Sequence, residues 1–207
     1  MRYSPEHKAQ TREKLLHSSG AIAKQGGFSA AGVDSLMKAI GLTGGAFYSH
    51  FPSKNDLFSA IVERELSHSV ALLGDSAEAS RAKLQRCLER YLSLAHVQHP
   101  DSGCAIPTLG AEIARADIRV REQAEHWLVR LQQAWAEVLG SGELAWAILA
   151  QCVGALVVAR MLATEPRQAE VLEASKALLA ATVGRAPPGP ESDETPAAAI
   201  AIQTSQG

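Results

Sequence analysis

The sequence predicts an all-α chain whose first quarter is a three-helix unit containing a helix-turn-helix. Composition points there first: Ala is plentiful, β-branched runs are scarce and aromatics are 5%, which favours helix over strand. Periodicity points there next, because apolar residues recur at three- and four-residue spacing from end to end. Glycine and proline fall between those periodic stretches. With 46% hydrophobic and 20% charged residues, the chain can build and cover an ordinary core, which excludes disorder over most of its 207 residues.

The first helix is expected from about Pro5 to Lys24, with Ser4 as N-cap and proline at the first helical position. Leu15, Leu16, Ile22 and Ala23 share one of its faces, and Gly26-Gly27 stops it. A short second helix, Val33 to Ile40, carries Val33, Leu36, Met37 and Ile40 at i, i+3, i+4 and i+7. Gly41 ends it. After Leu42-Thr43 a third short helix runs from about Gly44 to His50, where Pro52 blocks continuation. Ser53-Lys54-Asn55-Asp56 reads as a capping box opening a fourth helix to about Leu73.

Gly74-Asp75-Ser76 is a joint. Beyond it, Glu78 to Val97 reads as one helix with a stripe of Leu84, Leu88, Tyr91, Leu92 and Ala95. The turn-rich His99-Pro100-Asp101-Ser102-Gly103 follows. Ile106 to about Ala116 is expected to start irregularly because of Pro107 and Gly110, and to end as a short helix. Ile118 to Leu139 is amphipathic, and Gly140-Ser141-Gly142 breaks it. Leu144 to Ala159 is apolar except for Gln151 and Gly154, and a last helix spans about Pro166 to Val183. From Arg185 onward the proline-rich, acidic tail cannot sustain a core and is expected to be disordered. The division is therefore 1–64, 65–184 and a tail at 185–207.

The apolar stretch 144–159 raises a membrane reading. Sixteen residues span about 24 Å at helical rise, short of a ~30 Å hydrocarbon core, and Gln151 sits mid-stretch. Burial in its own domain and in a partner is the favoured reading. Cys87, Cys104 and Cys152 are odd in number and widely spaced, which disfavours a disulfide framework or a metal site. No cofactor is expected. The polar N-terminus has no signal-peptide pattern, so a cytoplasmic setting is expected.

Net charge is -2, which on its face argues against nucleic acid. The distribution is uneven: residues 1–64 hold eight Lys and Arg against five Asp and Glu, a net +3, and 65–207 carry net -5. The basic part is also where two short helices meet at a glycine across a three-residue turn, the arrangement whose second helix enters the major groove. Gly44 and Gly45 let its backbone approach a duplex closely. Tyr48 and His50 are donors suited to phosphate oxygens, and Lys54 stands where free backbone N–H groups already favour an anion. Phe47 and Phe51, four apart, read as core.

Residues 10–62 resemble the DNA-binding domain of the TetR family of transcriptional regulators. The stretches that carry the resemblance are TREKLL at 11–16, GVDSLMKAIGLTGGAFYSHFPSK at 32–54 and DLFSAIV at 56–62. The resemblance implies that Thr43, Gly44 and Gly45 open the recognition helix and that Tyr48 and His50 contact phosphates. It also implies that Lys54 anchors at the next helix and that Arg12 touches a neighbouring phosphate or the minor groove. Two positions depart from the family pattern: Gly44 stands where a basic side chain is frequent, and Ala31 where Thr or Ser is. Base readout would then rest on Thr43, Ser49 and DNA shape.

The resemblance further implies a C-terminal domain that binds a small-molecule effector and dimerises through its last two helices, 144–183. Candidate pocket residues are Tyr91, His96, Cys104, Trp127, Leu131 and Trp135, although both tryptophans also suit plain core. GCAIPTLGAEIA at 103–114 resembles a stretch in TetR-like members that sense electrophiles or small apolar compounds. The function expected is a dimeric repressor released from double-stranded operator DNA by ligand. The alternative is a helical ligand-binding protein or enzyme without DNA binding. No phosphate loop, GxGxxG, HExxH or GxSxG supports an enzyme, so no catalytic residue is expected, and Glu112 and Asp117 read as solvent-facing charges.

Overall fold

A computed structural model describes residues 5–74 and 80–185, and these contain helices and no strand. Ser4, the joint residues Asp75 and Ser76, the predicted helix start at Glu78 and tail residues 186–207 lie outside the described residues. The helices are α1 (Pro5–Gly26), α2 (Val33–Lys38), a 3₁₀ segment (Gly44–Ser49) and α3 (Lys54–Leu73). They continue as α4 (Arg81–Tyr91), α5 (Leu94–Gln98), α6 (Ile106–Arg115), α7 (Ile118–Leu139), α8 (Gly142–Met161) and α9 (Glu165–Arg185).

Two local expectations are corrected. The single helix expected up to Val97 is divided, because Leu92 leaves helical geometry (φ -84°, ψ 67°) and Ser93 Oγ accepts from the His96 amide at 3.2 Å to cap α5. Leu84, Leu88, Leu92 and Val97 are all buried, so the apolar stripe runs through the break and hides it from periodicity. The irregular start expected at Ile106 is instead regular helix. Pro107 falls in the first turn of α6, where its missing N–H has no partner to lose.

Two apolar clusters organise the chain. One joins Leu15, Leu36, Met37, Phe47, Leu57 and Ile61 from α1 to α3 with Leu109 of α6 and with Val120 and Ala124 of α7. The other joins Leu88, Leu131, Trp135, Leu139, Ile148 and Leu156, drawn from α4, α7 and α8, with Leu172 and Leu179 of α9. The indole of Trp135 donates to the Leu73 carbonyl at 3.0 Å, fastening the end of α3 to this second cluster. Helix α3 spans both, so residue 64 lies inside a continuous helix.

Helix α8 is long and apolar enough to cross a membrane, yet its two faces differ. Ala145, Ile148, Leu149, Cys152, Ala155, Leu156 and Ala159 are buried in the second cluster. The opposite face exposes Trp146, Val157, Val158 and Met161, the last 78% exposed. Gln151, midway along this helix, donates to Ser175 Oγ on α9 at 3.1 Å.

Gly41 lies between α2 and the 3₁₀ segment with φ +76°, a left-handed conformation that any Cβ strains. Gly41→Ala is expected to cost about 1–2 kcal/mol, read as a lower urea midpoint with an unchanged slope; an unchanged midpoint would contradict the turn geometry.

Candidate nucleic-acid interface

The reading segment is built outward from one buried ring. Phe47 is 0% exposed and contacts Tyr48 edge-on at 5.3 Å and Phe51 at 6.1 Å between ring centroids. With Phe47 pinned inside, Thr43, Gly45, Tyr48 and Ser49 are exposed, Tyr48 at 68%. Thr43 enters the segment in extended conformation and its side chain makes no capping bond. Ser49 donates to the Ala46 carbonyl at 2.7 Å, which leaves its lone pairs outward. The short segment is 3₁₀ rather than α, closed by i→i+3 bonds such as His50 N to Phe47 O at 2.8 Å.

The two glycines of the segment differ. A Cβ at Gly45 would meet nothing within 4 Å, so its surface is open backbone. A Cβ at Gly44 would collide with the Asp34 carboxylate. The Asp34 side chain of α2 would have to swing aside for any larger residue at 44.

Cations flank this surface. The Arg12 guanidinium sits 4.6 Å above the Phe51 ring, which fixes an exposed charge beside the segment. His50 is held below the ordinary histidine range first by burial and then by Lys8, Arg12 and His7, a basic group gathered at the start of α1. Its Nδ1 is buried without a hydrogen-bond partner. Lys54 donates to the Ser29 carbonyl at 3.0 Å and lies 4.9 Å above the Phe28 ring, so one of its three donors is engaged inside the protein. Ser53 accepts from the Asp56 amide at 3.1 Å and donates to its carboxylate at 2.7 Å, which closes the capping box read from the sequence.

Three of the six pocket candidates meet at one open cleft of about 1000 Å³, whose walls include Tyr91, His96 and Cys104 together with Lys24 and Glu65. Lys24, only 8% exposed, pairs with Glu65 at 2.7 Å and donates to the Gly103 carbonyl at 3.2 Å. This buried pair gave no signal in the sequence, because each partner looks like an ordinary surface charge on an amphipathic helix. The cleft therefore spans the junction of the two clusters. The His96 ring contacts Tyr91 edge-on at 4.6 Å. Burial raises the Tyr91 hydroxyl well above its usual range, and neighbouring Cys104 adds to the effect.

The other three candidates lie elsewhere. Trp127 packs against the first cluster and donates to Glu63 at 2.8 Å, whereas Leu131 and Trp135 are buried in the second. Of Glu112 and Asp117, read as solvent-facing, Asp117 is exposed and Glu112 half-buried, and both also hold backbone amides. Asp117 caps α7 by accepting from the Val120 amide at 3.0 Å, and Glu112 accepts from the loop between α1 and α2. Asp before an apolar run was a readable cap signal for Asp117; nothing local marks Glu112.

A short exposed segment set across a left-handed turn from α2, with its apolar side buried and cations at both edges, defines a helix-turn-helix DNA-binding protein. Residues 15–61 match the model of a family described as bacterial regulatory proteins, tetR family. The AcrR HTH-type transcriptional regulator of Shigella flexneri is 32% identical over 96 residues, 42% of this chain and 45% of that one. The nucleoid occlusion factor SlmA of Marinobacter nauticus is 25% identical over 140 residues, 66% of this chain and 70% of that protein. For the fold, a TetR transcriptional regulator from Legionella pneumophila superposes with a TM-score of 0.69 at 21% identity, covering 88% of this chain and 99% of the other. Residues 15–61 thus carry the DNA-binding domain of bacterial regulatory proteins of the tetR family, and the fold of the whole chain is the one TetR regulators share.

His96 gives the cleft a pH dependence. Its Nδ1 lies 2.8 Å from the Tyr91 carbonyl and its Nε2 accepts from the Cys104 amide at 3.0 Å, an arrangement that requires the neutral ring with the proton on Nδ1. Burial holds it below the ordinary value, Arg160 and Lys24 add to this, and the Tyr91 bond opposes it. The unfolded chain therefore takes the proton first. The stability contribution is complete above about 6.5 and is lost as pH falls through the lowered folded value. The melting temperature is expected to drop as pH is lowered from neutrality toward 5, and His96→Gln is expected to flatten part of that slope. An identical slope in the variant would remove this role.

Proposed function

We infer that this regulator is a homodimeric repressor that binds a double-stranded operator and leaves it when a small molecule occupies the cleft. The observation that carries the reading is the exposed face Thr43–Ser49 bracketed by Arg12, His50 and Lys54. In this reading Thr43 and Ser49 face base edges, and Gly45 admits the backbone to the groove. Arg12, Tyr48, His50 and Lys54 serve phosphates. The modest surplus of +3 in residues 1–64 implies few phosphate contacts, so affinity falls with salt less steeply than for a strongly basic binder. A soluble, cytoplasmic setting goes with this reading.

The dimer is supported by the apolar face that α8 leaves uncovered. Trp146, Ala147, Ala150, Gly154, Val157, Val158 and Met161 form a stripe along it, and Ala174, Ala177 and Leu178 are exposed on α9. Small residues in that stripe permit close helix approach, and a two-fold pair would present two reading segments to half-sites about 34–36 Å apart. Release follows from linkage. A ligand preferring a different separation of the heads by ~1–3 kcal/mol lowers operator affinity roughly 5–150-fold.

Light scattering of the full chain is expected to give a dimer. Val158→Arg is expected to give a folded monomer that loses most of its affinity for a fragment from beside the protein's own gene, measured by mobility shift against competitor DNA. A wild-type monomer, or a Val158→Arg chain that remains dimeric, would contradict the interface. A wild-type chain that binds the fragment no better than competitor would contradict the operator.

A further inference from the structure

We propose that Glu112 is a positioning residue for DNA reading: from the effector side of the molecule, its carboxylate sets the loop that starts the helix-turn-helix. The proposal rests on the operator-binding reading above. Glu112 stands on α6, and its Oε2 accepts from the Phe28 amide at 3.2 Å, the Ser29 amide at 3.1 Å and the Ser29 hydroxyl at 3.3 Å. All three donors belong to the loop between α1 and α2. A carboxylate taking several N–H and O–H donors forms charge-assisted bonds, stronger than neutral ones.

The loop is shaped to receive it. Gly27 has φ +85°, a conformation that favours glycine, and a Cβ there would lie 2.7 Å from Glu112 Oε1 and push the carboxylate aside. From the other side Lys54 donates to the Ser29 carbonyl and covers the Phe28 ring, which stacks on Phe58 at 4.9 Å. The loop is thus held between an anion from α6 and a cation from α3. It leads directly into α2, whose N-cap Gly32 supplies no side-chain bond of its own. The start of α2, and the reading segment packed on it, take their position from this grip.

The same helix begins at the cleft. Gly103 and Cys104 line the cavity and are held by Lys24 and by the His96 ring. Two residues later α6 starts, and Glu112 follows less than two turns along it. Leu109, between them, is fully buried in the cluster that supports Phe47. Glu112 thus ties the helix that starts at the cleft wall to the loop that starts the helix-turn-helix.

The test uses the full chain and a duplex enriched by the wild-type protein from a random-sequence pool. Glu112→Ala is expected to lose about tenfold or more in affinity for that duplex. Its affinity for an unrelated duplex should hold, since phosphate-contacting side chains are untouched. Glu112→Gln keeps an oxygen that can accept from both amides and is expected to stay within about threefold of wild type. Should Glu112→Ala not hold its fold by circular dichroism, Glu112→Asp, which withdraws the carboxylate by one methylene, reads the same quantity. Unchanged specific affinity in Glu112→Ala, equal loss on both duplexes, or a Glu112→Gln chain as weak as Glu112→Ala would each overturn the proposal. If the wild-type chain enriches no duplex, the operator reading itself fails, and the proposal with it.

Discussion

Leu109, Val120 and Ala124, which belong to the C-terminal helices, are buried with Leu15, Phe47, Phe51 and Leu57 in one apolar cluster, and the geometry of the reading head depends on that sharing. A domain of some sixty residues buries only about 60% of its unfolded surface, and the helices packed around Phe47 do not complete their core alone. Helices α6 and α7 close it. Polar contacts along the same seam, Trp127 to Glu63 at 2.8 Å and Ser59 to Gln123 at 2.9 Å, add direction to the apolar contact. The head is thus seated on the body, and a change in the body is felt at the segment that Phe47 pins.

The cleft lies on this seam. Its walls combine Lys24 of α1 and Glu65 of α3 with Tyr91, His96 and Cys104 of the C-terminal half. Beside it, Arg160 of α8 donates to the His96 carbonyl at 2.8 Å, while its Nε and Nη1 are buried without partners. The overall charge of -2 gives little hint of this arrangement. What matters for a polyanionic partner is local: a basic cluster at the start of α1 and a body in which Asp117 caps a helix and Glu170 and Glu173 are ion-paired.

Much of this was legible in the sequence because it is local. The capping box at Ser53, the left-handed turn at Gly41 and the burial of Phe47 and Phe51 against an exposed Tyr48 each follow from residues a few positions apart. The buried and exposed faces of α8 follow from its all-round apolar composition, which a one-sided helix does not need. What stayed hidden depends on tertiary partners. Glu112 and Lys24 are ordinary charges until the packing of α6, of α3 on α1 and of the 99–103 turn brings Ser29, Glu65 and Gly103 to them. Trp127 and Trp135 suited a pocket as well as a core, and only the packing of α3 against α7 assigns their indole N–H groups to Glu63 and Leu73.

Hydroxyl-radical footprinting of the full chain on its enriched duplex tests the central claim most directly, because it reads where each sugar is shielded. The account predicts two protected blocks related by a two-fold axis and spaced by about one helical turn or somewhat more, both lost in Tyr48→Ala. Uniform protection, a single block, or a pattern unchanged in Tyr48→Ala would contradict a paired helix-turn-helix reader.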